Sequence, residues 1–298
     1  MRVTTKIVFL CLLTSCSSTN RRRTAGGEDP VRKPLDAETF LCDFASKRFE
    51  PEDRAQARLR IADRLSLLGL EPKMQSYDEE VRNGYVRGRR FAGVNLYAEL
   101  RATVPSEEWI VLGAHYDTVR VAPGADDDGS GVTAVLLAAE RLVDLKVRRR
   151  NVLFAFFDQE ELGLVGSSVF VKFLVADGRK VVAAHAIDMI GWDGDGDRAV
   201  ELGRADAETR GDPFVALYEK AAARTQGIGP VIRTRMGRSD HVSFLDAGIP
   251  AVLITQEYEG GDWTPHYHRK TDTCANVHFG YLTTAAALVT NAVILQLE

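Results

Sequence analysis

No uninterrupted apolar run in this 298-residue sequence reads as a bilayer-spanning helix, which argues against an integral membrane protein. Excess charge is missing too. The 38 Lys and Arg against 42 Asp and Glu leave a net charge of −4, which argues against a nucleic-acid partner. The basic triplets at 21–23 and 148–150 are too short to form a phosphate-binding stripe and read as solvated surface. Cysteine is scarce at four residues, and Cys11 and Cys16 lie in the amino-terminal segment. That leaves Cys42 and Cys274, which either pair or remain as buried thiols, since distance along the chain does not fix distance in space. Neither a repeat nor a second core is visible. With 45% hydrophobic and 27% charged residues, the length suits one large α/β domain.

The amino terminus reads as a targeting segment. Arg2 and Lys6 precede a short apolar stretch at 7–13, and Leu13-Thr-Ser-Cys16 resembles a bacterial lipobox. The expectation is a signal peptide over 1–15, acylation at Cys16, and a polar, Gly- and Pro-containing lipid-attached tether over 16–35. Residues 36–298 then form the folded domain. Ser17 is similar to an outer-membrane sorting signal, so the location expected is the envelope of a bacterium, with the membrane met only through the lipid.

Strands and helices alternate through the rest. Apolar periodicity predicts helices at 51–69, 162–176, 213–225 and 279–297, and another after the acidic turn, with Val132, Val135, Leu136, Ala139, Leu142 and Val143 in one stripe. Strands are expected at 94–100, 109–114, 152–157, 181–188 and 251–255. Continuously apolar strands alternating with helices indicate an α/β single domain, a mixed, mainly parallel sheet sandwiched between helices.

Metal-ligand side chains recur just beyond those strands. His115 and Asp117 follow the strand at 109–114, Glu160 and Glu161 follow 152–157, and Asp188 ends 181–188. His268 lies in the loop after 251–255, and Asp127 sits in the Gly-flanked turn Asp126-Asp-Asp128. In open α/β sheets, ligands bind beyond the carboxyl ends of the strands, so these groups converge on one place. Side chains two apart in extended chain share a face, so one nitrogen of His115 can ligate while the other donates to Asp117. Adjacent glutamates point differently, leaving one to hold metal and one to act as a base.

The ordered set His115-x-Asp117, Gly124-Ala-Asp-Asp-Asp128, Glu160-Glu161-x-Gly163-x-x-Gly166-Ser167, Asp188-Met189, Ser239-Asp-His241 and His268-x-x-x-Asp272-Thr273 resembles the co-catalytic di-zinc exopeptidases, of the bacterial leucyl aminopeptidase and aminopeptidase Y type. The similarity runs from about residue 37 to the end. It implies the zinc exopeptidase fold and two Zn2+ ions, with Asp127 bridging, His115 and Asp188 completing one site, and Glu161 and His268 the other. It also implies Glu160 as general base, Asp117 orienting His115, and a cis peptide between Asp127 and Asp128. The activity implied is hydrolysis of the first peptide bond of peptides with a free amino terminus, through a water activated by two zinc ions. Met189, Tyr258, Trp263 and Tyr267 fall where the family builds its side-chain pocket, which suggests a hydrophobic first residue. Where some relatives carry a disulfide and an oxyanion-binding tyrosine, this chain has Thr234-Arg-Met-Gly-Arg238.

Other candidates read as structural. Asp193-Gly-Asp-Gly-Asp197 imitates a calcium loop, but Arg198 and Arg204 stand where a Gly and a Glu are required. His185, His266 and His278 read as structural histidines. Adjacent Ser239, Asp240 and His241 are no nucleophilic triad and read as support for the site. Two other functions resemble this pattern. Glutaminyl cyclases are similar in fold and use one zinc, but usually replace the residue matching Asp128 and the Gly-Ser-Gly after it, which this chain keeps. A binding protein on an inactive peptidase fold should have lost a ligand or the base, and none is missing here.

Overall fold

The computed structural model describes residues 33–81, 86–204, 213–258 and 260–298. The readings for the signal peptide, for Cys16 and for most of the tether lie outside these residues. Pro34–Glu298 is one compact unit.

Two helices open it, α1 (Ala37–Phe44) and α2 (Pro51–Leu67). Asp36 caps α1 by accepting from Thr39 N, and Pro51 begins α2, where a missing N–H costs nothing. Then come β1 (Lys73–Glu80), β2 (Arg90–Leu100), β3 (Glu108–His115), α3 (Gly129–Val143), β4 (Asn151–Phe157), α4 (Val165–Ala176) and β5 (Lys180–Ile187). The chain ends with β6 (Val200–Arg204), α5 (Pro213–Ala222), β7 (Val231–Arg235), α6 (His241–Asp246), β8 (Ala251–Gln256) and α7 (Phe279–Leu297).

The strands form one sheet in the order β1-β2-β4-β3-β5-β8-β6-β7. The centre, β4-β3-β5-β8, is parallel, while β1, β2 and the β6–β8 pairing are antiparallel, so the sheet is mixed as expected. Alternate residues feed opposite faces. Ile110, Leu112, Val152, Phe154 and Phe156 enter the core beneath α2, α3, α5 and α7, whereas Trp109, Val111, Leu153, Ala155 and Phe157 pack with Phe170 of α4 and Phe244 of α6. Burial on both faces explains why β3 and β4 show no polar alternation.

Two departures from expectation have local causes. The helix expected at 162–176 starts at Val165 because Gly163 and Leu164 hold positive φ values of 106° and 59°, which turn the chain after Glu161. At 19 residues with a mean hydropathy of 1.4, α7 is long and apolar enough to cross a membrane by composition, contrary to the first reading. Here it is a core helix, with Leu282, Ala285, Leu288, Val289 and Val293 buried and α3 and α5 packed along it. Cys42 and Cys274 are joined as a disulfide, which resolves the alternative left open above.

Candidate metal centre

The chain runs from β3 through α3 to β4 on one side, then through α4 to β5 on the other side of β3. That reversal opens a crevice at the carboxyl end of β3, where open α/β sheets hold their ligands. His115 is the last residue of β3. Its Nε2 lies 3.2 Å from Asp127 Oδ1 and 3.7 Å from Asp188 Oδ1, just past β5. The other oxygen of Asp127, Oδ2, lies 3.2 Å from His268 Nε2, which is 3.0 Å from Glu161 Oε2. A single carboxylate therefore faces two imidazoles, one with each oxygen. Of the residues singled out in sequence, His115, Asp127, Glu161, Asp188 and His268 meet here, and Glu160 lines the same cleft.

Asp117 serves both halves of this arrangement. Its Oδ1 is 3.4 Å from His115 Nδ1, and its two oxygens accept the backbone N–H groups of Glu160 at 3.0 Å and Glu161 at 3.3 Å. One carboxylate thus registers the end of β3 against the loop after β4. Asp128 also lies within reach of His115 and Asp188. Its oxygens are already committed to backbone, however, accepting from Gly131 N, Met189 N and His115 N. It shapes the turn. The Asp127–Asp128 peptide is cis.

Sequence reasoning missed how that turn is gripped. Asp272 accepts from Asp126 N at 2.7 Å and from Asp127 N at 3.1 Å. Arg48, fully buried, donates to the carbonyls of Tyr116, Pro123 and Gly124. Its guanidinium loses affinity for its proton through burial, falling to about 10, though Asp272, Asp117, Asp128 and Asp127 oppose the fall. Gly124 has φ +66°, and a Cβ there would stand 2.5 Å from Asp127 O, so only glycine allows so close an approach. Nothing in the pattern around Arg48 announces this role, because its partners lie about seventy residues away.

The donor set fits a cation. Both ring nitrogens of His115 and Glu161 Oε1 are shut off from solvent yet complete no hydrogen bond, and buried polar atoms are rarely left so. Burial raises the Glu160 carboxyl well above its usual range and Glu161 to about 7, neighbouring carboxylates add to the rise, and the imidazoles oppose it. Burial would depress His268, but Asp127 and Glu161 outweigh it and lift the ring to about 10. Cations entering here would replace protons as the partners of these carboxylates. Imidazole and carboxylate donors of this kind suit zinc.

A cleft open to solvent lies beside these residues. Met189, Tyr258 and Tyr267 line it, together with Ser239, read from sequence as support for the site, and with Met236, Arg238, Leu253 and Thr255, which sequence reasoning had not assigned to it. Trp263 is not among the lining residues. It packs edge-on against Tyr258 and Tyr267, with centroids 4.1 and 5.1 Å apart, and so backs that wall. Tyr267 stacks on His268 at 3.8 Å, and burial keeps its phenol protonated and able to donate. The structural histidines fall elsewhere. His185 is buried between Tyr218 and Gln296, its proton affinity lowered to about 4 by burial. His266 and His278 flank the Trp192 ring.

A family model described as Peptidase family M28 matches residues 95–293. Aminopeptidase YwaD of Bacillus subtilis is 32% identical over 186 residues, covering 62% of this chain and 40% of that protein. The probable lipoprotein aminopeptidase LpqL of Mycobacterium tuberculosis is 32% identical over 216 residues, covering 63% and 42%. The chain thus spans about two fifths of the length of these relatives. In fold it is similar to a zinc aminopeptidase from Bacillus subtilis, with a TM-score of 0.77, 18% identity, and coverage of 88% of this chain and 94% of the other. It is also similar in fold to a glutaminyl cyclase of Bacteroides thetaiotaomicron, with a TM-score of 0.73, 18% identity, and coverage of 86% and 96%.

Proposed function

This chain belongs to peptidase family M28, and from that membership and the geometry of the cleft we propose that it is a zinc-dependent aminopeptidase acting on peptides with a free amino terminus. The observation that carries the proposal is the bridging posture of Asp127, whose two oxygens face His115 and His268, each at 3.2 Å, with Glu160 in the same cleft. His115, Asp127 and Asp188 would hold one zinc ion, and Asp127, Glu161 and His268 a second. When bound, the ions supply Lewis acidity toward the scissile carbonyl and make water a stronger acid.

The rest is the work of the chain's own groups. Glu160, in the same cleft, takes the proton of the attacking water and passes it to the departing amine. Asp117 keeps the His115 ring and the Glu160–Glu161 backbone in register. Tyr267, which lines the cleft and stacks on His268, would be a hydroxyl donor available to the carbonyl oxygen. The carboxylates lining the cleft attract the substrate's free ammonium. Asp128-Gly-Ser-Gly131 is intact, with Asp128 binding Gly131 N, and this favours the peptidase over the cyclase.

The deciding assay uses leucyl and phenylalanyl anilides. Hydrolysis is expected to stop on full chelation, to return with about two zinc ions per chain, and to spare the acetylated anilides. Pyroglutamate formation from amino-terminal glutamine without anilide cleavage would reassign the protein to the cyclases. Hydrolysis that survives complete metal removal would end the metallopeptidase reading altogether.

For the amino terminus we propose export and acylation at Cys16. Cys16→Ser is then expected to abolish labelling by a fatty-acid probe and to move the protein from the membrane to the soluble fraction, since one covalent lipid signal would be gone. A mature amino terminus found elsewhere by mass spectrometry would reject the assignment.

A further inference from the structure

Arg238 lines the catalytic cleft together with four carboxylates, Asp127, Glu160, Glu161 and Asp188, yet makes no hydrogen bond or ion pair with any described residue. An arginine free to swing in such company would close on an acid, because a bidentate guanidinium–carboxylate pair is among the stronger polar contacts. The loop prevents it. Ser239, Asp240 and His241, which follow directly, are buried at 1%, 1% and 0% exposure, and His241 Nε2 lies 2.8 Å from the Met236 carbonyl oxygen. The backbone on either side of Arg238 is thereby pinned, and the exposed side chain is left facing open cleft. Apart from His268, it is the only cationic side chain among the described residues that line this cleft.

The loop also runs beside the proposed base. Ser239, the residue before Asp240, lines the same cleft as Glu160, the group that must hand a proton to the departing amine. Arg238, directly before Ser239, lines that cleft as well and would flank the leaving half of a substrate whose departing amine meets Glu160. Met236, Leu253 and Met189, which line the same cleft, offer apolar surface. A peptide that carries an ammonium at one end and a carboxylate a residue or two away matches this pattern of acids, apolar wall and unpaired cation.

Resting on the aminopeptidase reading, we propose that Arg238 is a specificity-determining residue that pairs with a carboxylate on the leaving portion of the substrate, so that the cleft favours short peptides carrying one. That carboxylate is either the carboxyl terminus of a dipeptide or the side chain of an acidic second residue. Because Arg238 is exposed, the preference weakens as salt rises.

The test compares leucyl-alanine, leucyl-alanine amide and leucyl-glutamate amide with the full-length, zinc-loaded protein and with Arg238→Met and Arg238→Lys. Comparing ratios within each protein cancels differences in active fraction. Wild type should favour the carboxylate-bearing substrates over leucyl-alanine amide in kcat/KM by about three- to tenfold, mainly through KM, the span from an exposed ion pair to a charge-assisted one. Arg238→Met should bring the ratio close to one, and Arg238→Lys should restore part of it. A preference confined to leucyl-alanine assigns the carboxyl terminus, and one confined to leucyl-glutamate amide assigns the side chain. No preference in wild type, or one that persists in Arg238→Met, overturns the proposal while leaving the aminopeptidase reading intact. Failure to cleave leucyl anilide or any of the three peptides overturns the reading itself, and this proposal with it.

Discussion

Asp127→Asn is expected to leave a folded protein that no longer retains metal and no longer hydrolyses anilides. An amide keeps the shape but removes the negative charge that both imidazoles face, at 3.2 Å on either side. Losing a residue that merely orients a ligand costs roughly 10–100-fold in metal affinity, so losing the bridging carboxylate should exceed about 100-fold. Metal content after dialysis measures this directly, with circular dichroism as the check on folding. A variant that keeps two ions per chain would dismiss Asp127 as the bridge.

Glu160→Gln should behave oppositely. No hydrogen bond or ion pair joins its carboxylate to either imidazole, whereas Glu161 Oε2 reaches His268 at 3.0 Å, so metal content should hold. The rate should fall by about 10²–10⁴-fold, the usual contribution of a positioned general base. The backbone N–H of residue 160 still binds Asp117 in the variant, so the geometry of Glu161 is preserved. If this variant loses its metal as Asp127→Asn does, the division between holding the ions and moving the proton is wrong.

The central sheet was legible because β3, β4, β5 and β8 are buried on both faces and so read as continuous apolar runs. The edge was not. In β1, Lys73–Glu80, only Tyr77 is buried, so its sequence resembles a polar loop, and its strand character comes from pairing with β2. With five residues each, β6 and β7 are too short for a period to show. At the site, the ligand types were legible because imidazole and carboxylate carry their chemistry in their identity, and strand ends explain why they meet. Arg48 and the grip of Asp272 on the acidic turn were not, since both act through backbone groups that any residue supplies. Arg238 was noted only as a departure from relatives. Its lack of a partner is a property of three dimensions.

The bond between Cys42 and Cys274 has a consequence for damage. It closes a covalent ring of the polypeptide that contains every residue of the proposed centre, from His115 to His268. A protease that nicks an exposed loop inside the ring, such as the one carrying Val121, cannot release either piece. The severed strands stay within one particle, and each ligand keeps a high effective concentration toward the others. A clipped sample should therefore run as a single band until it is reduced and denatured, and only then as two. Reductant would convert a harmless cut into separation of the two halves.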